Sequence, residues 1–235
     1  MIFTIEGNIG SGKTTILKEI ESLKFSKRHI VVFEQVKEWS DVKDESGTDI
    51  LSLFYKDKSK YSYIFQSYVL FSRIHHLLDT IQQNPNSIVI CERSHFTDLY
   101  VFAKTLYESK DISDIEWKVY NIWHTKIREL LSITITGIIY IQTDPLVCYN
   151  RIKIRSRTGE DCIPIEYLQT LHNRHDDWLI KRPVIDSDKK WFSVHKDSVI
   201  PVVTLDGNVD VYDYSNRTKQ LDLIIEFVNY YVKSN

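Results

Sequence analysis

The run Gly7-Asn8-Ile9-Gly10-Ser11-Gly12-Lys13-Thr14 limits what this chain can fold into more than any other stretch. It follows the apolar Ile2-Phe3-Thr4-Ile5 and opens the amphipathic Thr15-Ile16-Leu17-Lys18-Glu19-Ile20, so it reads strand, glycine-rich turn, helix. The spacing is G-x-x-x-x-G-K-[ST], that of a phosphate-binding loop. Glycines let backbone N–H groups turn inward, and a helix N-terminus adds partial positive charge where an anion would sit. Gly7, Asn8, Gly10, Gly12 and Thr15 are therefore expected to cradle nucleotide phosphates. Lys13 is expected to neutralise β/γ charge, and the Thr14 hydroxyl to help hold Mg²⁺.

A chain of 235 residues with 43% hydrophobic content can bury a substantial core, which excludes a disordered protein. Its net charge of −2, without a long block of one sign, argues against a nucleic-acid or membrane-surface binder. Cys91, Cys148 and Cys162 are few, odd in number and far apart, which suits neither a disulfide framework nor a zinc site. No apolar run approaches a membrane span, and a phosphate loop at residue 7 leaves no room for a cleavable leader. A cytoplasmic location is the expectation.

Short β-branched runs alternate with amphipathic segments along the chain. Strands are expected over 29–33, 88–91, 137–141 and 200–205, besides the first. Helices are expected to about 24 and over 61–83, 97–108, 113–131, 164–179 and 216–232. Asp144-Pro145 reads as the N-cap and first residue of a further helix carrying Arg151, Arg155 and Arg157. The stretch 39–59 reads as polar and irregular, with a turn at 44–47. One α/β domain over 1–235 follows, a parallel sheet of about five strands with helices on both faces. Ligands of such sheets lie beyond the strand C-termini, where Lys13, Glu34, Glu92 and Arg93 should meet.

A phosphate loop alone names no reaction. No N-K-x-D guanine-reading stretch occurs, whereas acids end two separate strands, Glu34 and Glu92, as a small-molecule kinase requires. One would take the acceptor hydroxyl's proton and the other would hold Mg²⁺.

Further segments carry a family likeness. Glu34-Gln35-Val36-Lys37-Glu38-Trp39 resembles the E-P-V-x-x-W stretch of the deoxynucleoside kinases related to deoxycytidine and deoxyguanosine kinase. Phe65-Gln66-Ser67-Tyr68 through Ser72-Arg73 is similar to their F-Q-x-Y-x-x-x-S-R helix, and Glu92-Arg93-Ser94 with Asp98-Leu99-Tyr100-Val101-Phe102-Ala103 to their E-R-S-x-x-x-D-x-Y-x-F-A. Arg151 to Arg157, followed by Ile163-Pro164-Ile165-Glu166-Tyr167-Leu168, resembles their arginine lid and next helix. The likeness keeps its order to about Leu179 and is weak beyond Asp210. Gln35 stands where the family has proline.

The resemblance implies a P-loop kinase fold with an arginine-rich lid over about 151–160, acting as a homodimer in nucleotide salvage. It implies transfer of the γ-phosphoryl group of ATP or another nucleoside triphosphate to a deoxynucleoside 5′-hydroxyl. Glu34 would be the general base and Arg93 would hold base and phosphoryl group. Arg151, Arg155 and Arg157, just before the flexible Thr158-Gly159, would close on phosphates. Glu160 would accept from the sugar 3′-hydroxyl with Tyr55 as its partner. Gln66 would read the base edge, Phe65 and Phe102 would stack on it, and Trp39, Leu51 and Val69 would wall the pocket. Arg73 with Asp98 would fill the space a thymine methyl needs, favouring deoxycytidine or purine deoxynucleosides. A thymidine-preferring enzyme, a thymidylate-type nucleotide kinase and a non-catalytic nucleotide-binding module remain the alternatives.

Overall fold

The computed structural model describes residues 1–23, 28–131, 133–157, 160, 162–181, 192–193, 200–210 and 213–233. At its centre lies β1 (Ile2–Gly7), buried along its whole length. Strands β2 (His29–Val32), β3 (Ile88–Glu92), β4 (Gly137–Gln142), β5 (Phe192–Ser193) and β6 (Pro201–Asp206) complete one sheet in the order β2-β3-β1-β4-β6-β5. Five strands are parallel, as expected, and the two-residue β5 pairs antiparallel with β6 at the edge.

A strand buried on both faces needs apolar residues at every position, and two-residue periodicity sends neighbours to opposite layers. In β4, Ile139 and Ile141 pack with Phe3, Leu17 and Phe227. Ile138 and Tyr140 face the other way, onto Phe96, Leu171 and Trp178. Helices α1 (Lys13–Leu23) and α10 (Tyr214–Lys233) cover the first face. The opposite side carries α4 (Lys58–Gln83), α7 (Asp114–Leu131), α8 (Pro145–Arg155) and α9 (Ile165–Leu179). Asp144 caps α8 by accepting from the Leu146 N–H at 2.7 Å.

Two expectations need correction. The stretch 39–59 is not irregular: it holds α2 (Val36–Asp41) and α3 (Ile50–Lys56). Both are too short to hold by propensity alone, and they form because Trp39, Ile50, Leu51 and Phe54 bury against Phe65 and Val69 of α4. The turn between them is as expected, with the Asp44 carboxylate accepting from Ser46 and Thr48 N–H groups and Gly47 at φ 83°. The helix expected over 97–108 is three pieces, α5 (His95–Thr97), a π-helical turn (Asp98–Ala103) and α6 (Lys104–Glu108). A π-turn inserts a residue into the helical count and re-aims the side chains on it. Asp98 is one of these.

Candidate active site

The loop after β1 turns where a side chain could not follow. A Cβ on Gly10, which sits at φ 78°, would lie 2.6 Å from the Cys148 carbonyl oxygen, and one on Gly7 would lie 2.7 Å from Ser11 Oγ. Lys13 folds back under this loop, its Nζ donating to the Asn8 carbonyl at 2.7 Å and the Gly7 carbonyl at 3.2 Å. Burial, and then the charge of Arg93, bring its ammonium down to about 7. Thr14 Oγ1 donates to both Glu92 oxygens, at 2.9 and 3.1 Å, so the expected metal pair is adjacent. Asn8 is a correction. Its Nδ2 donates to the Leu168 carbonyl at 2.9 Å and ties the loop to α9, and neither Asn8 nor Gly7 lines the cleft.

Beside the loop, three strand ends and α4 converge on Glu34. Its Oε1 accepts from Arg73 Nη2 at 3.0 Å and lies 3.3 Å from Arg93 Nε. Burial pushes this carboxyl up, but Arg93, Arg73 and Lys13 together outweigh it and hold it down at about 2. Arg93 takes a left-handed φ of 66° as the chain leaves β3, an uncommon conformation for a residue with a side chain. There its Nη1 reaches the Gly7 carbonyl at 2.9 Å and its guanidinium lies 4.9 Å from the Phe102 ring centre. Arg73 is fixed on every side. Nε and Nη2 grip Asp98 at 2.9 and 3.2 Å, and Nη1 donates to the Glu92 carbonyl at 2.9 Å.

These groups open into a cleft of about 1160 Å³ that also takes in Trp39, Leu51, Tyr55, Phe65, Gln66, Val69 and Phe102. Phe65 stacks on Phe54 at 4.7 Å, so one of its faces is already covered, and the Trp39 indole N–H donates to Ser72 Oγ at 3.0 Å. Gln66 is 2% exposed and its Oε1 has no hydrogen-bond partner among the described residues. An amide oxygen buried at a cleft wall without a donor asks for one from whatever enters.

The arginine segment departs from expectation in detail. Arg155 and Arg157 both pair with the Glu160 carboxylate, the second at 3.2 Å. Glu160 is thus held by two cations instead of Tyr55, whose ring packs on Phe54 at 5.0 Å. Arg151 lines the cleft, but its guanidinium is spent on backbone, donating to the Gly207 carbonyl at 2.8 Å and the Val209 carbonyl at 3.1 Å. Thr158 and Gly159, read as flexible from the sequence, lie outside the described residues.

The deoxynucleoside kinase profile matches residues 3–233. A probable deoxycytidine kinase of fowlpox virus (strain NVSL) is 34% identical over 227 residues, covering 96% of this chain and 87% of that protein. The deoxycytidine kinase of Rattus norvegicus is 34% identical over 228 residues, covering 89% and 85%. The chain belongs to the deoxynucleoside kinase family. The mitochondrial deoxyguanosine kinase of Xenopus laevis is similar too, 32% identical over 195 residues, covering 76% and 73%.

This kinase has cleft residues that sequence reasoning passed over. Phe54, Tyr167, Asp206, Asn208 and Arg217 line the cleft as well. Phe54 was announced by Asp49, whose carboxylate accepts from the Ser52 N–H at 2.9 Å and caps the helix that carries it. Nothing local announced Arg217, which reaches the cleft only because α10 packs beside α1.

Proposed function

We propose that this kinase transfers the γ-phosphoryl group of ATP to the 5′-hydroxyl of deoxycytidine or a purine deoxynucleoside, in preference to thymidine. The observation that carries the preference is the two-pronged grip of Asp98 on Arg73 in the cleft wall. A guanidinium fixed there occupies room a thymine methyl would need and offers donors in place of an apolar contact. The names of the similar deoxycytidine and deoxyguanosine kinases point the same way.

Phosphoryl transfer is mostly positioning and charge stabilisation. Glu34 accepts a hydrogen bond from the acceptor hydroxyl and later its proton, while Arg93 orients Glu34 and faces the transferring group. Thr14 Oγ1 and the Glu92 carboxylate form an oxygen donor pair of the kind Mg²⁺ takes, so the residues fit that ion. When bound, it would neutralise charge on the donor's phosphate oxygens. Gly10, Gly12, Lys13 and Thr15 surround the phosphates. Arg155 and Arg157 reach them by leaving Glu160, which frees that carboxylate to accept from the sugar 3′-hydroxyl. Gln66 reads the base edge. Turnover of the four natural deoxynucleosides and their monophosphates with ATP tests this reading: deoxycytidine or a purine deoxynucleoside should rank first. Fastest turnover of thymidine would overturn the preference, and turnover of monophosphates alone would overturn the acceptor.

The Lys13 environment gives a second expected result. Phosphate favours the charged amine, so donor binding should raise a group that stands at about 7 in the free protein. At pH 8, donor binding should take up about one proton, and donor affinity should fall as pH climbs past 7. Calorimetric titrations in two buffers of different ionisation enthalpy measure this. The same apparent enthalpy in both would contradict it.

The chain is further read as one kinase domain over 1–235, cytoplasmic and homodimeric. No helix among the described residues is long and apolar enough to cross a membrane. Exposed Ile64 and Phe71 on α4 and Trp123 on α7, with the Phe71 and Trp123 rings 6.2 Å apart, supply an apolar patch for a second copy. Sedimentation equilibrium at the mass of a single subunit would contradict the dimer.

A further inference from the structure

Of the cations around the phosphate end of the cleft, several are already occupied by the protein itself. Arg151 spends both terminal nitrogens on the carbonyls of 207 and 209, and Arg155 and Arg157 share Glu160. Arg217 differs. It stands in the first turns of α10, where its Nε donates to both oxygens of Glu19 on α1, at 3.1 and 2.8 Å. That contact fixes the guanidinium plane across two helices. Its Nη2 is buried and has no hydrogen-bond partner among the described residues, and the residue lines the cleft together with Thr15, Lys18 and Asn208. A buried guanidinium nitrogen without an acceptor is costly, so its retention wants an explanation.

The wall beside it is built to hold still. Gly207 N–H donates to the Gln142 carbonyl at 2.7 Å, Asn208 Oδ1 accepts from the Asp144 N–H at 2.9 Å, and Gln220 Nε2 donates to the Asp206 carbonyl at 2.6 Å. A Cβ on Gly207 would fall 1.9 Å from Thr143 Oγ1, so the chain passes there only as glycine. This end of the cleft lies past the phosphate loop from Glu34 and the nucleoside pocket. On the reading given under Proposed function, it is where the donor's own nucleoside must extend.

We propose that Arg217 is a donor-binding residue whose Nη2 donates to a neutral acceptor on the nucleoside portion of the phosphate donor, a ribose hydroxyl oxygen or a ring nitrogen of the base. The choice of a neutral partner follows from Glu19, which already balances the guanidinium charge and leaves a directed N–H instead of a free cation. Phosphate is served by Lys13 and the lid. Arg217 therefore sets how tightly, and which, nucleoside triphosphate is held, and leaves the acceptor nucleoside untouched.

Arg217→Lys tests this, because lysine keeps the pairing with Glu19 and loses the second nitrogen. Dissociation constants for ATP, 2′-deoxyATP, GTP and inorganic tripolyphosphate are measured by calorimetry on the full chain without acceptor, and KM values for ATP and the deoxynucleoside alongside. ATP affinity should weaken about tenfold, as for loss of one charged hydrogen bond, with tripolyphosphate affinity and deoxynucleoside KM moving less than about twofold. A penalty that shrinks with 2′-deoxyATP assigns the acceptor to the ribose 2′-hydroxyl, and one that stays the same with 2′-deoxyATP but differs with GTP assigns it to the base. Unchanged ATP affinity, or equal weakening of ATP and tripolyphosphate, overturns the proposal. If the lysine variant fails to fold, Glu19→Ala answers the same question, since it removes both oxygens that fix the guanidinium and should weaken ATP and not tripolyphosphate. Wild-type turnover of deoxynucleosides is read separately, so a wrong assignment of Arg217 is distinguishable from a wrong assignment of the reaction.

Discussion

Glu34→Gln is expected to lower kcat by at least ~10²-fold while deoxynucleoside affinity changes by no more than a few-fold. Glutamine keeps the volume and one acceptor for Arg73, so the pocket should stay built, and what disappears is the group that takes the proton. A carboxyl held at about 2 is a weak base at neutral pH. Its value must then lie in aligning the hydroxyl and receiving the proton late, which suits a loose transition state in which the nucleophile has gained little charge. The pH sign follows from the same depression. Glu34 stays ionised until pH falls toward 2, so it should contribute no acid limb to kcat/KM between about pH 5 and 8. Loss of nucleoside binding parallel to the loss of kcat would make Glu34 a structural residue, and an acid limb that vanishes in the variant would contradict its depressed ionisation.

Arg73→Met combined with Asp98→Ala should raise the thymidine-to-deoxycytidine ratio of kcat/KM by at least ~10-fold, the scale of discrimination a single pocket contact gives. Absolute turnover should fall at the same time, because Arg73 also holds Glu34 and the Glu92 carbonyl. The single changes behave differently. Arg73→Met alone strands Asp98, which is 0% exposed, and breaking a buried pair by removing one partner costs about 3–5 kcal/mol. The double change removes both charges, so urea unfolding should find it destabilised by less than the sum of the singles. An unchanged substrate ranking in a folded double variant would refute the assignment of this pair to the base pocket.

What the sequence disclosed and what it withheld divide along physical lines. The sheet was legible because β1, β3 and all but the last residue of β4 are buried runs rich in β-branched residues, and the phosphate loop because its glycine spacing serves a positive-φ backbone that is set locally. Glu34 could be named from its place at a strand end, and Arg73, Arg93 and Asp98 from the family likeness, and the fold brings all of them into one cleft. Side chains whose partners come from distant segments were misjudged. Asn8 reads as a loop amide but bonds to the Leu168 carbonyl, 160 residues on. Arg151 reads as part of a charge run but bonds to the segment after β6. Helices α2 and α3 were missed since their polarity is outweighed by a few residues packed on α4, an effect no local window contains. Arg217 had no motif around it at all.

The account rests on one alignment of atoms, an acceptor hydroxyl against the Glu34 carboxylate with the donor phosphates over Lys13. A crystal structure with deoxycytidine and a non-hydrolysable ATP analogue measures it directly. The 5′-oxygen should lie at about 2.6–3.2 Å from a Glu34 oxygen, on the side facing the γ-phosphate. A nucleoside seated in the cleft with its 5′-hydroxyl turned from Glu34, or bound elsewhere on the chain, would contradict it.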